Sequence, residues 1–339
     1  KTKECYVVVS EVAKNNGGKK KVLASVLAGL AMVGAGAMGT PVHADVNLGN
    51  SAVNISPNGT YNGSNTVGKN SVVVGYQNKT DNNSGTLAYG ANNTAYGDSA
   101  FAIGNNNVAK GGNAYAMGNT AEALGTVALA FGNQAKALAN YTVAMGSGAN
   151  ASNENAVAVG RRTKAAGVAA VGMGLEANAA GDNSVAIGKN NTTTGGAGGV
   201  AIGNTNTSTG DRAISIGESN NSQKEDTITM GYSNTASVGG AIAIGQNNEA
   251  NSGGSAGNTM IAIGRDNKAK AQDTIAIGRE TTASKDLSVA IGNRTEATAN
   301  AAIAIGTNGA PSGGNTYKTT ASGFASIAVG MQSEATASV

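Results

Sequence analysis

The stretch Thr274-Ile275-Ala276-Ile277-Gly278 decides the fold. It runs large apolar, small, large apolar, glycine. The same phrase ends on Gly75, Gly90, Gly104, Gly118, Gly132, Gly146, Gly160, Gly174, Gly188, Gly203, Gly217, Gly231, Gly245, Gly264, Gly278, Gly292, Gly306 and Gly330. Most neighbours in that series are fourteen residues apart. A fixed period over most of a chain means a repeat architecture, in which each copy buries its apolar surface by stacking on the next.

With the glycine as position zero, position −3 is always apolar, as at Val72, Phe101, Val143, Val185, Ile242 and Ile303. Position −1 is equally regular, with Ile103, Met117, Phe131, Ile187 and Ile244. Position −2 is mostly alanine, and its exceptions are mainly small too: Gly172, Ser215 and Thr229. Period-two alternation with β-branched enrichment predicts a strand. Size assigns the two large positions to a core. It turns the small −2 residue toward a close-packed neighbour, which a single subunit does not supply, so a subunit interface is expected there.

Position +5 is small in nearly every copy, as at Ala95, Ala109, Ala137, Ala165, Ala236, Ala269 and Ala297, with Asn, Thr, Ser and Gly around it. This reads as a second, shorter strand with small inward side chains. The glycine at zero permits positive φ or a tight passage at the intervening turn. Gly111, Gly125, Gly167, Gly181 and Gly210, near +7, suit the other turn. Each repeat is then one coil of strand, turn, strand, turn. About eighteen coils stacked in parallel at ~4.8 Å would form a rod on the order of 85 Å long. Departures from fourteen mark loops. The largest are insertions around 249–258 and 309–323, the best candidates for specific contacts in an otherwise uniform surface.

Composition agrees with a rod rather than ordinary domains. Of 339 residues 51 are glycine, aromatics make up 4% and charged residues 13%, and there is no tryptophan. The formal charge of +3 resides in the first segment, where six lysines face two glutamates before Asp45, leaving 17 basic and 18 acidic residues beyond it. No basic stripe for nucleic acid is expected. Cys5 and His43 are the only cysteine and histidine, both before Asp45. Without that segment the chain has no disulfide, no usual zinc or copper ligand, and no Ser-His or Cys-His pair. No metal or other cofactor is expected.

The first 44 residues have their own grammar. Lys19, Lys20 and Lys21 precede an apolar, small-residue run from Val22 to Met38; Pro41 breaks it, and Val42-His43-Ala44 suits a cleavage site. The run is shorter than the ~20 strongly apolar residues of a membrane span. A secretory signal peptide cleaved between Ala44 and Asp45 is expected. Residues 45–69 read as an N-terminal cap over the first sheet edge, with a short strand at Val53 and Ile55.

Asn183-Ser184-Val185-Ala186-Ile187-Gly188 resembles the head repeat of the YadA-like trimeric autotransporter adhesins. The likeness covers about residues 70–339. The long leader, with Val8-Val9-Ser10-Glu11-Val12-Ala13-Lys14, resembles the extended signal peptides of such exported proteins. The chain starts without Met, so a few residues of that leader are read as missing. The resemblance implies an all-β, left-handed parallel β-roll, three subunits to a head, and display on the outer membrane of a Gram-negative bacterium. It implies attachment to extracellular-matrix proteins, host cells or other bacteria, including self-aggregation. Neck, coiled-coil stalk and membrane barrel have no counterpart before Val339, so the sequence reads as an N-terminal portion whose membrane contact would run through an anchor beyond it.

Catalysis is disfavoured because the acids are scattered. Glu225-Asp226 is the one adjacent pair, and neighbours in a strand point to opposite faces. Calcium-binding nonapeptide repeats and hexapeptide transferases have other periods. The serious alternative to an adhesin is a spacer rod that projects another binding domain from the cell.

Overall fold

A computed structural model describes residues 44–47, 53–57, 65–81, 85–251, 259–307 and 318–338. The signal segment, apart from Ala44, and most residues of both large insertions lie outside the described residues.

The chain is an all-β parallel solenoid of about seventeen full coils of about fourteen residues, carried on eighteen long strands. β1 (Ala44–Asn47) pairs antiparallel with β2 (Val53–Pro57), and β2 pairs in parallel with the first long strand, β3 (Val72–Tyr76). The short strand β4 (Lys79–Thr80) follows, and the alternation of long and short continues to Glu334–Ala335. Long strands stack only on long strands and short on short, like residue on like: Ile275 on Val289, Ala276 on Ala290, Gly278 on Gly292, and Ala283 on Ala297. The backbone ladders therefore run along the rod, about 80 Å for seventeen steps of ~4.8 Å.

The orientation of the long strand is the reverse of the size-based expectation. Alanines at −2, from Ala88 to Ala304, are wholly buried, as are those at +5, from Ala95 to Ala321. Val and Ile at −3 and −1 are half-buried or exposed on the outside of the coil. The reason is dimensional. A fourteen-residue coil brings its long and short strands so close that Ala, Ser, Thr and Asn fill nearly all the space between them, with Val73 in the first coil and Met260 after the first large insertion as the larger exceptions; a column of Ile would overpack it. The polar exceptions at −2 confirm the direction. Ser215 Oγ donates to the Thr207 carbonyl at 2.8 Å, Thr229 Oγ1 donates to Ser215 Oγ at 3.0 Å, and Ser222 Oγ lies 2.8 Å from Thr229 Oγ1. These hydroxyls satisfy one another inside the rod.

Position −4, as at Ala100, Thr142 and Ala241, is buried too, and position +3 carries a further interior column. Asn78, Asn93 and Asn107 form one run and Asn191, Asn206, Asn220, Asn234, Asn248 and Asn267 a second, all fully buried. Asn206 is representative. Its Nδ2 donates to Asn191 Oδ1 at 3.0 Å, to the Ile202 carbonyl at 3.0 Å and to the Gly217 carbonyl of the next coil at 2.7 Å. Its Oδ1 accepts the backbone N–H and Nδ2 of Asn220. The first run continues toward the N-terminus through Asn65, whose Oδ1 accepts the Asn78 N–H and whose Nδ2 reaches Asn54. Between the runs stand Ala121, Ala135, Ala149, Thr163 and Ala177. Three successive long strands there, Leu129–Phe131, Val143–Met145 and Val157–Val159, are three residues long instead of five. Beyond the second run, Thr295 and Thr319 keep the bond to the glycine carbonyl of the next coil, and Thr295 Oγ1 also lies 3.4 Å from the Ile291 carbonyl.

The turns fix the glycines for two different reasons. At Gly217 φ is +121°, and a Cβ would lie 2.0 Å from the Gly231 carbonyl oxygen, so both conformation and space exclude a side chain. At Gly111 no positive φ is needed; a Cβ would simply meet the Gly125 carbonyl oxygen at 1.9 Å. Positions +2 and +9 are left-handed mostly without glycine, which appears there at Gly148 and Gly240; Asn, Asp and Ser are frequent, as at Asn190, Ser219, Asn113 and Asp273.

Candidate binding surfaces

Outward side chains come from −3 and −1 on the long strand, from +2 and +4 around one corner, and from +6 to +9 around the other. The first set is apolar from end to end. Leu87, Phe101, Tyr115 and Leu129 form one column, and Tyr89, Ile103, Met117 and Phe131 the parallel one. Phe101 and Tyr115 stack with ring centroids 4.9 Å apart. Toward the other end the columns become aliphatic, from Ile242 to Ile303 and from Ile244 to Ile305. Tyr89 is 48% exposed and Met145 41%. An apolar stripe as long as the rod is far larger than the isolated patches of soluble monomers. The small-residue face expected to meet a partner is thus interior, and the large apolar face is the one left open.

The corner between long and short strands is polar. Its +2 column runs through uncharged Asn190, Thr205, Ser219, Ser233 and Asn247, then turns ionic at Asp266, Glu280 and Arg294. Glu280 is held by Arg294 Nε at 2.6 Å and Arg279 Nε at 3.1 Å. The hydrogen bond from Arg294 keeps its carboxyl below the usual range. Here a shallow groove of about 530 Å³ is lined by Asn247, Asp266, Lys268, Glu280, Thr282, Arg294 and Lys318. At the opposite corner, Arg212 forks onto Asp226 at 2.6 and 2.8 Å, which lowers the Asp226 pKa and raises that of Arg212. Glu225-Asp226, the one adjacent acidic pair, thus supplies an ion-pair carboxylate rather than a raised general acid.

The insertions leave the coil at different corners. The first follows the short strand Glu249–Ala250; the second follows the long strand Ile303–Thr307 and rejoins at Lys318. Their flanks therefore do not converge on one side. Ala44 and Asp45, the expected cleavage pair, sit in β1 opposite Pro57 and Ser56. Among the described residues no group of His, Cys, Asp and Glu could hold a metal ion, and no helix is long and apolar enough to cross a membrane. Sequence reasoning missed the polar groove and the asparagine column. The register of Asn at +3 was the available signal for the second.

Comparison with curated proteins returns no match. The family model of the YadA head domain repeat (two copies) matches at 82–107, 109–135, 125–149, 137–163, 165–191, 195–218, 223–248, 261–281 and 283–308. These stretches together span more than half of the chain and keep step with the coils. The chain belongs to the YadA head domain repeat family.

Proposed function

We propose that this chain is the head of a trimeric surface adhesin. The repeat family points to an adhesin-type surface role. The observation that carries the finer reading is the pair of apolar columns at −3 and −1, left open on the single roll along its whole length. Three rolls that turn these stripes toward one another remove them from water. The polar corners, including both insertion sites, then face outward. The leader, cleaved between Ala44 and Asp45, delivers the head to the outer surface of a Gram-negative bacterium. There it attaches to a matrix protein, a host cell or another bacterium. No nucleic-acid partner, cofactor or catalytic step belongs to this reading.

A spacer role is favoured by one feature, the regular scaffold over 191–250, where a buried Asn recurs at +3 and a glycine at zero in every coil. Sedimentation and attachment assays on the purified chain separate the readings. A trimer that adheres to immobilised matrix protein, cultured cells or like bacteria supports the adhesin. A trimer that adheres to none of them supports the spacer. A monomer in which the apolar stripe stays exposed overturns the assembly.

A further inference from the structure

In a repeat protein, chemical specificity has to come from coils that depart from the repeat. The sharpest departure among the described residues is the groove at the +2/+4 corner between Asn247 and Lys318. Five successive coils contribute to it, and no apolar side chain lines it. That excludes a lipid or an aromatic anchor as occupant. Its volume, about 530 Å³, falls within the range of small-ligand sites, roughly 300–1,000 Å³.

The charges in the groove are unequally committed. Asp266 accepts from Asn247 Nδ2 at 3.1 Å and pairs with Arg265 at 3.5 Å. Glu280 is fixed between Arg279 and Arg294, and Lys318 pairs with Glu296. The side chains of Lys268 and Thr282 have neither ion pair nor hydrogen bond among the described residues. They are register neighbours on the short strands, at +4 of adjacent coils. The groove therefore presents one uncommitted cation beside a free hydroxyl. Around them lie carboxylates and guanidinium N–H groups with hydrogen-bonding capacity left over. A phosphate-rich ligand fits badly, because the two carboxylates repel a dense anion and the charge of Arg294, the guanidinium in the lining, is already matched by Glu280.

We propose that this groove binds an acidic sugar, with its single carboxylate on Lys268 and Thr282 and its hydroxyls on Asp266, Glu280, Arg294 and Asn247. The proposal deepens the adhesin reading and rests on it for its biological meaning, although the groove lies within one roll and does not need the trimer. The carboxylate could belong to a sialic-acid-ended glycan or to a uronic-acid polymer.

The test is calorimetric titration of the purified chain with sialyllactose, with a uronic-acid disaccharide and with neutral lactose. One acidic sugar is expected to bind and lactose not to; which one binds identifies the source. Lys268→Ala should weaken binding at least about tenfold, as loss of a charge-assisted bond requires, while Lys268→Arg retains it. The side chain of Lys268 is exposed, so the melting temperature of both variants should match the parent. Equal binding of lactose, no binding of either acidic sugar, or unchanged affinity in Lys268→Ala would each overturn the proposal. The adhesin reading fails separately. Attachment of the chain to cells or matrix without acidic-sugar binding removes only the groove; sugar binding without attachment removes only the adhesin.

Discussion

Asn234 donates through Nδ2 to Oδ1 of Asn220 at 2.9 Å, one coil below, and the pair lies entirely inside the rod. The same Nδ2 reaches the Met230 and Gly245 carbonyls, and Asn234 Oδ1 receives the backbone N–H and Nδ2 of Asn248. Truncation would leave several buried groups without partners, each costing about 1–3 kcal/mol. Asn234→Ala should therefore lower unfolding stability by about 3 kcal/mol in denaturant titration. Ala121→Asn should do the opposite, by about 1 kcal/mol, because it adds a rung directly above Asn107, whose Oδ1 already accepts the Ala121 N–H.

Ala243 and Ile244 are adjacent and face opposite ways, Ala243 wholly buried and Ile244 half-buried on the outside. Ala243→Asp should unfold its coil and those beside it, at a cost above about 4 kcal/mol, since a charge would enter a space without a partner. Ile244→Asp should leave the circular dichroism of a single roll unchanged and abolish self-association in sedimentation. An Ile244→Asp protein that melts like Ala243→Asp would return the large residues to the core.

Val127 has φ of +56° and is 46% exposed, in a column where several coils carry Asn, Ser or Asp and others Tyr141, Ala169 or Leu287. Its N–H bond to the Gly112 carbonyl, 2.8 Å, does not depend on the side chain. A β-branched residue in the left-handed region costs ~1–2 kcal/mol. Val127→Asn should raise stability by about 1 kcal/mol, visible as a higher denaturant midpoint; no change would mean that Val127 recovers the cost through packing.

Acid should act through Glu280 and Asp226. Both carboxyls titrate below their ordinary values of 4.5 and 3.8, chiefly through hydrogen bonds from Arg294 and Arg212. A depressed folded pKa contributes stability above the unfolded value and loses it as pH falls through the folded value. The melting temperature should be flat from neutral pH to about 5 and decline below the ordinary carboxylate range. Both groups are exposed, so the slope is shallow. Glu280→Gln should remove part of it.

The period, the two strands per coil, the glycine turns and the small +5 column were all legible in the sequence, because each leaves a mark at a fixed offset. The facing of the long strand was not. Alternation at Ile275, Ala276 and Ile277 shows that two faces differ, and it is silent on which one points inward. Size suggested the isoleucines, whereas the coil's narrow interior admits only Ala276. The asparagines at +3 stood out only as some of the polar residues around the small +5 position. Their shared register with the glycine, from Asn191 to Asn267, was the trace of a buried ladder. The groove at Lys268 was illegible for a different reason: it joins residues from five coils, and only the stacking brings Asn247 and Lys318 into one groove.

The interruption of the asparagine column has a mechanical consequence. Backbone hydrogen bonds between coils point along the rod, so tension applied to its ends passes through every coil-to-coil junction in series. Junctions from Asn191 to Asn267 share that load between backbone and side-chain amides. Junctions from Ala121 to Ala149 lack the buried ladder; beyond the backbone they carry only the exposed bond from Thr126 N–H to Asn140 Oδ1 and the exposed Lys136–Glu122 pair. Under axial pulling in an optical trap, the rod is expected to part first in that alanine section and to leave the asparagine-laddered segments on either side intact. The structure thus amounts to a tether with a built-in place to yield.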